Sequence, residues 1–265
     1  RATMAKVLIK ELQSYKKQYA VPRKTLIDNL EEAVVEEKKI EEMDVVFLMD
    51  RFGYAKTVDV SVYERNKEAA DTENRYILTC KNTDKICIFT NKGQMHLLKV
   101  FDLPYGKFRD KGIPIDNLSN YNSSEENFIY IINLGAIIHS RLLFGTKTAM
   151  LKMVDGSEFD VAKRTTAATK LNEDDELLIV HAMTGEETVV MQSEKEMFLR
   201  IEAFTIPEKK KGAVGVRGMK LNAGDALSNI YVLDGESEQT VEVKGKEVVL
   251  NRLRVGNRDT KGTKR

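Results

Sequence analysis

The sequence predicts an all-β domain made of repeated units and preceded by one amphipathic helix. Three observations support this prediction. Strand-like apolar runs fill most of the chain, similar turn segments recur every 40 to 50 residues, and a basic loop follows each of them. A period near 50 residues in a β-rich chain is typical of propeller-like or solenoid folds, whose units bury each other's apolar faces. We therefore expect a propeller-like fold of about five blades, with the first blade degenerate.

The first 22 residues carry the pattern of an amphipathic helix. Apolar side chains recur at three- and four-residue intervals between charged ones, which is typical of a helix or the end of a coiled coil. They are Met4, Val7, Leu8, Leu12, Tyr15 and Tyr19. Pro22 ends the pattern, because proline has no backbone N–H to continue a helix. The chain starts at Arg1 inside this pattern, so we expect it to be part of a longer protein.

An acidic connector follows the helix. From Glu31 to Asp44 the sequence holds seven acidic residues against two lysines, which is typical of a solvated helix or a loose segment. We interpret it as a spacer, and the alternative is a regulatory arm that competes for a basic surface. The chain is therefore predicted to comprise the end of a coiled-coil helix at 1–22, the connector at 23–44 and the β domain at 45–265.

The β domain is predicted from short β-branched and aromatic runs that Gly, Asn, Asp and Lys interrupt. Five runs read as strands buried on both faces, because they are continuously apolar. They cover residues 45–49, 86–89, 128–132, 176–180 and 229–233. Several are followed by a turn and a second strand, so we expect hairpins.

Two sequence features repeat along this domain, a turn segment and a basic loop. The turn segments 50–57 and 91–98 place Gly53 and Gly93 at the same point, and similar segments begin at Phe144 and Ser193. A basic loop follows each of the later hairpins, in residues 107–114, 163–170, 209–218 and 258–264, with Gly112, Gly212 and Gly262 at intervals of about 50 or its multiple. We interpret Gly53, Gly93, Gly112 and Gly212 as turn formers rather than phosphate contacts.

The composition argues against several other classes of protein. Cys80 and Cys87 have no partners at metal-ligand spacing and are expected to be buried, reduced thiols, and three scattered histidines (His96, His139, His181) complete no site. No metal and no catalytic residue is therefore predicted in this chain. Because no long apolar run or leader pattern is present, we expect a cytoplasmic protein without membrane contact.

The repeats resemble the C-terminal β-pinwheel of the A subunits of bacterial type IIA topoisomerases, DNA gyrase and topoisomerase IV. The resemblance rests on Thr90-Asn91-Lys92-Gly93-Gln94 leading to Leu97, on residues 208–221 with their Gly-Val-Arg-Gly core, and on residues 11–25, which are similar to the end of the family's coiled coil. It implies an all-β, propeller-like β-pinwheel whose basic edge holds and bends double-stranded DNA in the nucleoid. It also implies a homodimer of the full-length protein, a partner topoisomerase subunit that carries the ATPase, and ATP and Mg²⁺ bound outside this chain, with the nucleophilic tyrosine lying upstream.

One departure from the family favours topoisomerase IV over gyrase. Gyrases carry a Gln-Arg-Arg-Gly-Gly-Lys-Gly box in the first blade, needed for tight wrapping, and residues 63–71 read Tyr-Glu-Arg-Asn-Lys-Glu-Ala-Ala-Asp here. This stretch has neither the glycines nor the dense positive charge that would bring backbone amides and cations to phosphates. The alternative is a gyrase-like relative with an eroded box.

The candidate DNA contacts are the cations of the basic loops, because phosphates are bound by Lys, Arg and exposed backbone N–H groups without base readout. Net charge gives no such signal, since 42 basic residues nearly cancel 41 acidic ones. The candidates are Lys107, Arg109, Lys111, Lys163, Arg164, Lys170, Lys209, Lys210, Lys211, Arg217, Arg252, Arg254, Arg258, Lys261 and Lys264.

Two other interpretations remain open from the residues. Each lysine taken alone is explained equally well as a solvated turn charge, but a set recurring at one point of each repeat would form a basic rim. A propeller that binds a protein partner through an apolar face is the second alternative, although only 7% of residues are aromatic. An enzyme with a site in a central channel is disfavoured, because no acids and histidines converge in the sequence pattern.

Overall fold

A computed structural model describes residues 2–22, 24–25 and 41–265 of the chain, which divides into two compact units, 1–40 and 41–265. In the first unit, helix α1 (Ala2–Tyr19) ends three residues before Pro22, as predicted. The six apolar residues that predicted it, from Met4 to Tyr19, are all exposed. Residues 23 and 26–40, which include most of the acidic connector, lie outside the described residues.

The second unit is built of short antiparallel strands with three short helices. The helices are α2 (Val60–Arg65), α3 (Lys67–Glu73) and α4 (Leu134–Ile137). The strands are β1 (Asp44–Asp50), β2 (Tyr54–Asp59), β3 (Asn74–Lys81), β4 (Lys85–Thr90), β5 (Gln94–Lys99), β6 (Tyr105–Gly106), β7 (Ile113–Pro114), β8 (Phe128–Asn133), β9 (Arg141–Thr146), β10 (Met150–Asp155), β11 (Thr165–Ala167), β12 (Leu177–Met183), β13 (Thr188–Ser193), β14 (Met197–Glu202), β15 (Val216–Arg217), β16 (Leu227–Leu233), β17 (Thr240–Val243), β18 (Lys246–Val249) and β19 (Thr263–Lys264).

These strands form five sheets within residues 41–265, and four of them share one plan. The first sheet has the order β3-β1-β2-β6 with β7 also on β2, the second β11-β5-β4-β8, the third β12-β9-β10-β15, and the fourth β16-β13-β14-β19. Each contains a central hairpin, a long strand beside the first hairpin strand, and a short strand beside the second. The fifth sheet is the hairpin β17-β18 alone.

The short strand of each sheet comes from the following repeat. After the β4-β5 hairpin of the second sheet, the chain returns to pair β6 and β7 with β2 of the first sheet. In the same way β11 completes the second sheet, β15 the third and β19 the fourth. We call these returns the crossing segments, residues 104–115, 161–170, 207–218 and 255–265. Consecutive repeats are therefore interlocked by backbone hydrogen bonds as well as by side-chain packing.

The core lies in the interfaces between consecutive sheets. One apolar cluster joins the first and second sheets through residues such as Phe47 and Ile88, and another joins the second and third through Phe89 and Phe144. Two further clusters join the third to the fourth sheet and the fourth to the fifth. The other face of the first sheet packs against α2 and α3 around Ala70. Each sheet can thus bury both faces only with its neighbours present.

The predicted all-β, repeated architecture is confirmed, and two details of the prediction are wrong. The first sheet is complete, whereas the reduced one is the fifth, which has no flanking strand within residues 41–265. The predicted strands at 45–49 and 86–89 are buried on both faces, but β8, β12 and β16 are half-buried. The burial differs because β1 and β4 are central in their sheets, whereas β8, β12 and β16 lie at sheet edges.

Candidate nucleic-acid interface

Each crossing segment is fixed to its sheet at an equivalent point. The backbone N–H groups of Ile115, Ala168, Gly218 and Arg265 donate to the carbonyl oxygens of Gly53, Gly93, Ala149 and Glu196, at 3.0, 2.8, 2.7 and 3.2 Å. All four acceptors are the last residues of hairpin turns and have positive φ. The turn function inferred for Gly53 and Gly93 is therefore confirmed, and Ala149 and Glu196 take the same conformation without being glycine.

A second repeated feature is a close approach of the crossing segment to the hairpin strand. A Cβ atom on Gly112 would lie 2.7 Å from the carbonyl oxygen of Ala55, and one on Gly215 would lie 2.5 Å from that of Leu151. Gly262 is equivalent, with 2.9 Å to the oxygen of Phe198. The pairing of Gly112 with Gly212 in the sequence was thus wrong by three residues, because Gly212 has no atom within 4 Å of such a Cβ.

The basic loops bulge outward between two points of attachment. Tyr105, Glu208 and Val255 bridge their hairpin strands in parallel, whereas Ile113, Val216 and Thr263 pair antiparallel nearer the turn. The residues in between have no strand partner and project from the sheet edge. The second crossing segment keeps only the antiparallel attachment, at Thr165–Ala167.

Most of the predicted DNA-contacting cations are exposed on these loops. The side chains of ten of them form neither a salt bridge nor a hydrogen bond with another described residue: Lys107, Arg109, Lys111, Lys163, Arg164, Lys170, Lys209, Arg254, Lys261 and Lys264. All are exposed except Lys209, which is half-buried. The structure thus brings cations of four separate sequence segments to the same edge of four successive sheets.

The other predicted cations are engaged within the protein. Arg217 pairs with Asp259 at 2.5 Å and Arg252 with Glu238 at 3.2 Å. Lys210 lies 3.4 Å from the carboxylate of Glu158 and is otherwise exposed. Lys211 turns inward, where its ammonium group donates to the backbone oxygen of Glu158 at 2.7 Å. Arg258 is half-buried and donates to the backbone oxygen of Arg217 at 2.9 Å.

Two cations beneath the loops, one buried and one half-buried, were not predicted from the sequence. Lys152, in β10, is 1% exposed and donates to the carbonyl oxygens of Lys210, Lys211 and Ala213 at 3.2, 2.8 and 2.8 Å. Burial lowers the pKa of Lys152 to about 8, so the group still carries its proton at neutral pH. Lys56 holds the equivalent position in β2 and donates to the carbonyls of Phe108 and Asp110. The sequence signal was a lysine at the third position of the second hairpin strand.

A buried histidine replaces the lysine in the second sheet. His96, in β5, is 3% exposed, and its two ring nitrogens lie 3.0 Å from Oγ1 of Thr165 and 2.8 Å from Oε1 of Glu126. Thr165 belongs to the crossing segment, so His96 also ties this segment to the hairpin. The three sites thus position the loop backbones rather than contact a ligand.

Two turn lysines that the sequence did not single out as ligands pair with one acid. Glu176 accepts from Lys92 at 2.9 Å and from Lys147, which come from the turns of the second and third hairpins. The hydrogen bond from Lys147, followed by that from Lys92, lowers the pKa of Glu176 to about 2. This triad joins two consecutive sheets at their turns.

The structure also places the cysteines and the other metal-ligating side chains of the described part of the chain. No three His, Cys, Asp or Glu side chains converge among the residues described. Cys80 and Cys87 are buried and unpaired, as expected, and burial raises the pKa of these thiols to about 11 and 12. No helix among the described residues is long and apolar enough to cross a membrane.

Comparison with known proteins gives a family-model match over the middle of the domain. The model, described as the DNA gyrase C-terminal domain, beta-propeller, matches residues 140–182 and 187–234. Each match begins just before a hairpin and ends within one residue of the end of the long strand that follows it, β12 or β16. The repeat unit of that family therefore coincides with the structural repeat seen here, including its crossing segment.

Curated relatives match nearly the whole chain. The chain is 28% identical over 277 residues to the gyrase A protein of Lawsonia intracellularis (strain PHE/MN1-00), covering 97% of this chain and 33% of that protein. It is 29% identical over 274 residues to the gyrase A protein of Staphylococcus epidermidis (strain ATCC 12228 / FDA PCI 1200), covering 96% of the chain and 30% of the relative. The chain thus spans about a third of the length of these relatives.

Solved structures share the fold. The C-terminal domain of a DNA topoisomerase IV superposes with a TM-score of 0.75 at 22% identity, covering 84% of this chain and 73% of that one. The E. coli ParC C-terminal domain gives 0.67 at 15% identity, covering 84% and 94%. A DNA gyrase A C-terminal domain gives 0.56 at 17% identity, covering 83% and 76%.

Proposed function

We propose that this chain, a relative of the C-terminal domains of type IIA topoisomerase A subunits, binds double-stranded DNA along its crossing segments without sequence preference and bends it. The observation that carries the proposal is the repeated placement of exposed cations on loops that bulge from the same edge of four successive sheets. Backbone phosphates also recur at regular intervals along a duplex, and protein contacts to them do not read the base sequence.

Bending follows from the arrangement of the loops in successive blades. DNA that contacts several sheet edges in turn must depart from a straight path, at a cost of a few kcal/mol that phosphate contacts offset. In the longer protein, we propose that the bent segment is presented to a breakage-reunion core for ATP-dependent decatenation or relaxation. A second copy of the longer protein and a separate ATPase subunit complete that assembly, which acts on nucleoid DNA.

We assign the chain to the topoisomerase IV type because the segment that aligns with the gyrase box is helical. Residues 60–73 form α2 and α3, which pack on the outer face of the first sheet. The segment contains no glycine, so it offers no Gly-rich loop to phosphates. The gyrase type is the second candidate, favoured by the names of the curated relatives.

DNA binding is tested by fluorescence anisotropy with labelled duplexes of unrelated sequence across a salt series. We expect similar affinities for all sequences and a linear fall of log K with log salt, because each phosphate contact contributes about 0.9 to the slope. Salt-insensitive or absent binding would contradict the proposal and favour a surface that binds protein.

The two topoisomerase types are separated by ligating a nicked plasmid in the presence of the chain and reading the linking number after the protein is removed. Salt-sensitive binding with little or no shift is expected for the topoisomerase IV type. A clear positive shift would indicate chiral wrapping and assign the chain to the gyrase type.

A further inference from the structure

Two lysines face each other across the hairpin of the second sheet. Lys85 in β4 and Lys99 in β5 are direct cross-strand partners. Like charges placed directly opposite on neighbouring strands destabilise a sheet. The only carboxylate paired with either lysine among the described residues is Asp160, 3.6 Å from Lys85.

The equivalent position in the other complete sheets holds an acid. Counted from the hairpin turns, Lys99 corresponds to Asp59, Asp155 and Glu202, which end β2, β10 and β14. Their cross-strand partners are Val45, Arg141 and Thr188. The third sheet therefore places opposite charges at this point, where the second sheet places two positive charges.

Lys99 also lacks a structural role that two of its three counterparts perform. Asp59 and Asp155 accept hydrogen bonds from the backbone N–H of Ser61 and Ser157, at 2.7 and 2.8 Å, and so cap the helical turn that follows each hairpin. The turn after Lys99 begins without a side-chain cap. Because such a cap stabilises a helical turn, Lys99 is unfavourable for folding on two counts, the missing cap and the facing lysine.

Lys85 and Lys99 both line a cavity at the second sheet. A cavity of about 260 Å³ is lined by four cations, namely Lys85, Lys99, Lys163 and Arg164, together with one acid, Asp102. Arg164 is held beside β5 by a 2.7 Å hydrogen bond from Leu97 N–H to its carbonyl oxygen. The larger cavity at the first sheet, about 730 Å³, is lined by three cations and three acids. Of these two cavities, the one at the second sheet has more cations than acids in its lining.

We propose that this cavity binds one phosphate group of the DNA backbone, with Lys99 and Lys85 as contacts in addition to Lys163 and Arg164. The proposal rests on the proposed function for DNA as the source of the phosphate. The charge and shape of the cavity support phosphate binding itself. A bound phosphodiester offsets the repulsion between the two lysines, because an anion between them interacts favourably with both. In the free protein, the repulsion between Lys85 and Lys99 therefore remains and destabilises the sheet.

The test replaces Lys99 by the residue type of the other sheets. In low-salt, phosphate-free buffer Lys99→Asp is expected to raise Tm, because it pairs with Lys85 and caps the following turn. The same change is expected to reduce the log–log salt slope of DNA binding by about one to two, because the new carboxylate also engages Lys85. Lys99→Gln, which removes the charge alone, should reduce the slope by about one. The matched control is Lys246→Asp, an exposed strand lysine whose partner is the uncharged Val243; it should leave the slope unchanged without raising Tm.

Inorganic phosphate tests the cavity without DNA. At constant ionic strength, replacing chloride by phosphate is expected to raise the Tm of the unchanged chain and of Lys246→Asp by more than that of Lys99→Asp, because the general stabilisation by phosphate acts on all three proteins. An equal response of all three proteins would overturn the proposal, as would a salt slope unaffected by both Lys99 variants. If the unchanged chain binds no DNA, the proposed function fails, and the phosphate measurement still decides whether the cavity binds a phosphate group.

Discussion

The buried ammonium group of Lys152 lies 2.8 Å from the backbone carbonyl oxygen of Lys211. This contact connects the core of the third sheet to the loop that carries its surface charge. A positive group below the loop binds carbonyl oxygens, so the loop backbone is held while other side chains of the loop, such as that of Lys210, extend outward. The cations of the basic edge are thus presented by a fixed backbone.

Lys152→Met is expected to destabilise the domain by about 2–3 kcal/mol, because it leaves loop carbonyls without a donor in a buried position. Urea denaturation of the chain measures the difference. Lys220→Met, at an exposed lysine near the same sheet, serves as the control and should change stability by less than about 0.5 kcal/mol. Equal stabilities of the two variants would show that Lys152 does not hold the loop.

Gly215→Ala and Gly212→Ala should have opposite effects. At Gly215 the added Cβ would meet the Leu151 carbonyl at 2.5 Å, and we expect a loss of about 1–3 kcal/mol from the forced displacement. At Gly212 the space is open and alanine restricts the unfolded chain, so stability should be unchanged or rise by up to about 1 kcal/mol. Thermal denaturation distinguishes the two, and equal effects would reject the assignment of Gly215 as the equivalent of Gly112.

The exposed cations of the second crossing segment should contribute more to DNA binding than those that are already paired. Replacing both Lys163 and Arg164 by Gln is expected to reduce the log–log salt slope by about two. Arg252→Gln, at a guanidinium engaged by Glu238, should change the slope by much less. Anisotropy titrations at several salt concentrations provide the measurement. A larger effect of Arg252→Gln would show that the ion pairs open on binding.

Glu158→Gln should strengthen DNA binding modestly. The change removes the negative charge 3.4 Å from Lys210 and leaves an oxygen that can still accept from the Lys211 N–H. Because one more cation then faces phosphates unopposed, a steeper salt slope is expected in the same titrations. Glu238→Gln is a parallel variant at Arg252. An unchanged slope for Glu158→Gln would mean that Lys210 does not contact DNA.

Glu176→Gln should destabilise the chain at neutral pH and progressively less in acid. The Glu176 pKa is held at about 2, below its ordinary value of 4.5, so its contribution is fully present above pH 4.5. The contribution is lost as the pH falls from 4.5 towards 2, because the carboxylate is then protonated. Since Lys92 and Lys147 are about half exposed, we expect about 1 kcal/mol at most. Urea denaturation at pH 7 and pH 3 measures it, and a constant difference would exclude the ion pairs as its source.

Local patterns were sufficient to predict the hairpins. The apolar runs at 45–49 and 86–89 became central strands, because a central strand needs apolar residues on both sides. The turn positions of Gly53 and Gly93 were also correct, since positive φ at a tight turn is a local requirement that glycine meets. Ala149 and Glu196 also have positive φ and lie in the turn segments that the sequence pattern identified, although neither residue is glycine.

The sequence alone determined that this chain is a repeated β protein with basic loops after its hairpins, because strand periodicity, turn residues and loop charge are properties of short segments. The tertiary structure decided which sheet each loop completes, which cations are exposed and which are buried or paired. Lys152 and Lys99 read alike in the sequence, yet one is surrounded by carbonyl oxygens and the other lies opposite a second lysine. The carbonyl oxygens around Lys152 come from a segment about 60 residues away, so the hairpin sequence alone does not show that this lysine is buried.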